Sequence, residues 1–93
     1  MTKTAEIRAL VFKYLTGVEQ VFSELKVIVD QPEVFEVIDC AKRYLSDAKF
    51  FADQGKFKTA LVSVVYCEGL LDALKMLKVV EFSWSFAKNH EQS

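Results

Sequence analysis

Apolar residues recur at helical spacing through the first third of the chain. Ile7, Val11, Tyr14, Val18, Val21, Leu25 and Ile28 follow one another at intervals of 4-3-4-3-4-3, which places them on one face of a helix. Leu15, Phe22 and Val29 lie beside that stripe and widen it, as suits a globular bundle better than the narrow seam of a two-stranded coiled coil. Thr4 stands where an N-cap would, and Glu6 adds negative charge in the first turn. The pattern predicts a first helix over about 5–28.

The break is Asp30-Gln31-Pro32-Glu33. Proline fits the first turn of a helix, and Asp30 followed by Glu33 reads as a capping-box variant. A second helix is predicted over about 31–53, with Val34, Val37, Ile38, Ala41, Tyr44, Leu45, Ala48, Phe51 and Ala52 on its apolar face. Gly55 then ends it as a left-handed residue. The third helix, about 57–78, is apolar almost all round, with Phe57, Ala60, Leu61, Val64, Val65, Cys67, Leu70, Leu71, Leu74 and Leu77 interrupted mainly by Glu68 and Asp72. Such a helix is covered on more than one side. Segments of this size are each roughly 33–36 Å long, and short connections make neighbours antiparallel. The predicted fold is therefore all-α: an up-down-up three-helix bundle forming a single domain over residues 1–93. Val27-Ile28-Val29 has strand propensity, which packing in a long periodic segment is expected to override.

The tail changes period. Val80, Phe82, Trp84 and Phe86 alternate with Glu81, Ser83 and Ser85, a period of two with no second strand to pair with in a helical bundle. Residues 79–93 read as an extended segment that lays its aromatic side over the helices or over a partner. Three large aromatics in five residues are costly to leave in water. Phe82, Trp84 and Phe86 are accordingly the candidate partner-binding residues. If they bridge subunits, a chain cut after Val80 should be folded but smaller.

Composition narrows the function. The 93 residues are 52% apolar and 27% charged, with one Pro and three Gly, which excludes a disordered tail or linker. Twelve basic against thirteen acidic residues give a net charge of −1, so broad electrostatic attraction to nucleic acid or an anionic membrane is missing. No apolar run is long enough to span a bilayer, and the opening residues lack a signal-like core. The expected setting is the cytoplasm, where Cys40 and Cys67 remain reduced core thiols.

Candidate chemistry is thin. Glu68 and Asp72 share a face of the third helix at i,i+4 and could form an acid/base or metal-binding pair. The plainer account has them in solvent or paired with Lys42 or Arg43. Lys49, Lys56 and Lys58 interleave with Phe50 and Phe57 in the manner of a single-strand platform, but Asp47 and Asp53 stand among them. His90, the one histidine, lies in the polar tail, away from any cysteine or arginine partner in sequence. No catalytic, cofactor or metal site is predicted.

Ala41, Tyr44, Leu45, Asp47, Ala48, Phe51, Gly55, Ala60, Leu61, Tyr66, Gly69, Leu70, Leu71, Asp72 and Ala73 carry a resemblance. In this pattern the chain resembles the archaeal family called domain of unknown function 357, over about residues 30–84. Residues 41–74 more loosely resemble a single tetratricopeptide-like hairpin, without the further copies that a solenoid needs. The family resemblance implies an archaeal cytoplasmic helical protein and no activity. Taken with the surplus of apolar surface, it leads to a non-enzymatic helical interaction module that self-associates, most simply as a dimer. The alternatives are a nucleic-acid accessory factor using Lys49, Lys56 and Lys58, and a ligand or enzyme site around Glu68 and Asp72.

Overall fold

A computed structural model describes residues 2–84. Among them the elements are α1 (Thr2–Glu24), β1 (Lys26–Val27), α2 (Pro32–Asp53), α3 (Phe57–Met76) and β2 (Val80–Glu81). The fold is an all-α three-helix bundle, as the periodicity predicts. Helix α3 packs against both α1 and α2, which touch each other less. The core is one cluster, with Val11, Leu15, Val18 and Val21 from α1, Ile38, Ala41 and Ala48 from α2, and Ala60, Val64, Cys67, Leu71 and Leu74 from α3.

The ends of the helices differ from expectation in instructive ways. Helix α1 runs Thr2–Glu24, so Thr4 is inside it, and it stops at Glu24 instead of 28. After it the chain turns from helix to strand, and Lys26 and Val27 pair antiparallel with Glu81 and Val80. Ile28 and Val29 both donate their N–H groups to the Val79 carbonyl. Ile28 is thus no part of the α1 core stripe and stands 56% exposed. The alternating tail does have a strand partner, and of the run Val27-Ile28-Val29 only Val27 enters the strand, with Lys26 before it, because backbone groups from another part of the chain were there to receive them.

At the start of α2 the N-cap is Gln31, in extended conformation and without a side-chain cap bond; Asp30 does not cap the helix. Its other end matches expectation. Gly55 has φ 76°, its N–H bonds to the Ala52 carbonyl, and the Lys56 N–H reaches the Phe51 carbonyl. That is a Schellman motif. A second one closes α3: the Lys78 N–H bonds to the Lys75 carbonyl and the Val79 N–H to the Leu74 carbonyl, with Lys78 at φ 62° in place of a glycine. This turn sends the chain back as β2.

Candidate interaction surface

The tail lies on its own helix as far as Trp84. Phe82 and Trp84 are 7% and 8% exposed and belong to the core cluster. Their rings meet edge to face at 5.2 Å, and the Lys75 ammonium lies 4.9 Å from the Phe82 centroid. The Trp84 Nε1–H donates to Asp72 Oδ1 at 2.7 Å. Asp72 thus serves as the acceptor that lets the indole be buried with its polar edge satisfied. The Lys42 ammonium lies 6.0 Å from the Phe22 ring centroid, and Arg43 lines a pocket with Cys40 and Tyr44. Phe86 and His90 lie outside the described residues.

Glu68 is half-buried, with Oε2 withdrawn from solvent. Beside it, Cys67 is fully buried, and burial first, then the Glu68 carboxylate and Cys40, pushes its thiol up to about 12. A thiol held neutral in this way is a core residue and a poor nucleophile. Cys40 is half-buried, and both cysteines are free. Among the described residues, no three His, Cys, Asp or Glu side chains come together as metal ligands would.

The three lysines of the α2–α3 region divide. Lys49 forms an ion pair with Glu19 of α1. Lys56 and Lys58 border a pocket of about 360 Å³ with Thr4, Ile7 and Phe57. Phe57 meets Phe12 of α1 edge-on, with ring centroids 6.3 Å apart, while Phe50 is exposed.

An exposed apolar stripe lies elsewhere, on α3. Helix α3 buries Ala60, Val64, Cys67, Leu71 and Leu74 at intervals of 4-3-4-3. On the opposite side Val62, Val65, Tyr66, Gly69, Ala73, Met76 and Leu77 are all exposed. Val62 is 68% exposed, Met76 79% and Leu77 71%. Tyr66 stacks on Tyr44 of α2 with centroids 4.5 Å apart, which ties this face to the edge of the hairpin. All-round apolarity of the third helix was legible in the sequence; which side would remain uncovered was not, because that depends on where α1, α2 and the tail lie. No helix among the described residues is long and apolar enough to cross a membrane, so this face is not a spanning segment.

A family model described as protein of unknown function (DUF357) matches residues 13–80. No curated protein and no solved structure matches the chain. The matched stretch takes in the second half of α1, the whole α2–α3 hairpin and the turn into β2.

Proposed function

The chain belongs to the DUF357 family of proteins of unknown function, and from that premise we propose that it is a non-enzymatic helical interaction module that self-associates. The observation that carries this reading is the outer face of α3, an apolar stripe running the length of the helix in water. Solvated helices place charges on that side, and an exposed apolar patch of this extent marks an interaction site. The non-enzymatic part is supported by the neighbouring chemistry: Asp72 is engaged by Trp84, and Cys67 is buried and held neutral. The two free thiols support a reducing, cytoplasmic setting, and an archaeal source follows from the family resemblance alone. Light scattering on a size-exclusion column tests the reading, with a dimer expected at tens of micromolar. A strict monomer in that range would overturn self-association.

A second reading is favoured by one observation, the pocket that Lys56 and Lys58 border at the start of α3. Nucleic acid there would bind with a steep salt dependence. Gel shifts at low salt should show nothing if the interaction-module reading holds, because Lys49 is already engaged by Glu19.

A further inference from the structure

Resting on the self-association reading, we propose that the occupant of the α3 outer face is the α3 of a second copy, antiparallel about a twofold axis at Gly69.

Gly69 supplies the first observation. It sits exposed in the middle of α3, and a Cβ built on it would meet nothing within 4 Å. The fold of one chain therefore does not require glycine there, although glycine weakens a helix interior. Close approach of a second helix does require it, because a missing side chain lets two backbones meet at the crossing point.

The register supplies the second. Gly69 lies near the midpoint of the stripe that runs from Val62 to Leu77. Antiparallel pairing about it sets Val62 opposite Met76 and Val65 opposite Ala73, two apolar layers in which a large side chain faces a smaller one, while Tyr66 falls opposite Asp72 at the margin. A parallel pairing would set Met76 on Met76 and each lysine on its own copy. Glu68 and Asp72 are half-buried at the margin of the stripe.

Area supplies the third. From their exposures, Val62, Val65, Tyr66, Met76 and Leu77 together hold roughly 500–600 Å² in water, so two copies would cover at most roughly 1,000–1,200 Å², where specific interfaces begin. A net charge of −1 leaves copies without mutual repulsion.

Three measurements on the full chain test this. Light scattering establishes whether the wild type is a dimer. The double variant Val65→Cys/Ala73→Cys, which leaves Gly69 at the crossing point, should form a disulfide-linked dimer when oxidised mildly with copper phenanthroline, since the antiparallel register sets position 65 of one copy against position 73 of the other, within disulfide range, about 7 Å. Glu36→Cys, exposed on α2, should remain uncrosslinked. Met76→Glu should weaken the dimer at least tenfold while circular dichroism holds its helicity. Should that variant lose helicity, Val62→Lys makes the same test at another strongly exposed position. A dimeric wild type with no crosslink in the Val65→Cys/Ala73→Cys variant, or with a dimer indifferent to the charge variants, overturns this pairing and leaves self-association standing. A monomeric wild type overturns both.

Discussion

Trp84 and Asp72 show how a polar pair lets a large apolar side chain be buried. The indole N–H would lose its water on burial, and the carboxylate 12 residues earlier replaces it at 2.7 Å. Trp84→Phe keeps most of the ring and removes the donor, so it should lower stability by about 1–2 kcal/mol, read as a shift in urea midpoint. Cys67 gives a pH prediction. Its thiol ionises near pH 8.5 in an unfolded chain but is pushed up to about 12 in the fold. The stabilisation is therefore complete below about pH 8.5 and is lost as pH rises toward 12, at up to about 1.4 kcal/mol per pH unit. Cys67→Ala should lower the neutral-pH stability by about 1–2 kcal/mol and flatten that alkaline decline. A native protein treated with an alkylating reagent should label Cys40, half-buried, well before Cys67.

At the scale of elements, two Schellman turns built on different residues frame α3. Gly55 at φ 76° adopts the left-handed conformation without strain, whereas Lys78 holds φ 62° against its Cβ. Lys78→Gly should raise stability by about 1 kcal/mol, and Gly55→Ala should lower it by a similar amount. Thermal melts followed by circular dichroism compare the two directly. The glycine made the first turn visible in the sequence. Lys78 carried no such signal, since its conformation is imposed by the return of β2 onto β1. The same pairing ended α1 early, because Val27-Ile28-Val29 found the backbone of Val79 and Val80 to bond with.

For the whole molecule, the tail through Trp84 is part of the core and completes it. A chain ending at Glu81 loses two buried aromatics, each contributing roughly 1.5–3 kcal/mol, an upper figure because unfolded chains already hide some surface. The truncation should therefore cost about 3–5 kcal/mol, a large share of what a small domain has, and lower the urea midpoint sharply. Full-length protein should show blue-shifted Trp84 emission that moves red only on unfolding. Emission at the solvent-exposed wavelength in the native state would contradict the burial of this side chain.

Three helices, the hairpin at Gly55 and the excess of apolar residues on the third helix were properties of the sequence alone. Each rests on local repetition: the 4-3 spacing in α1, the small and apolar face of α2, and a glycine where a left-handed turn was needed. Tertiary structure decided the rest. It chose strand over helix for residues 26–27, set the Trp84 indole N–H on Asp72, and left Val62, Tyr66, Met76 and Leu77 on the outside of α3. Periodicity reports that a residue shares a face with its neighbours a turn away. What lies against that face depends on atoms distant along the chain, and no local pattern encodes them.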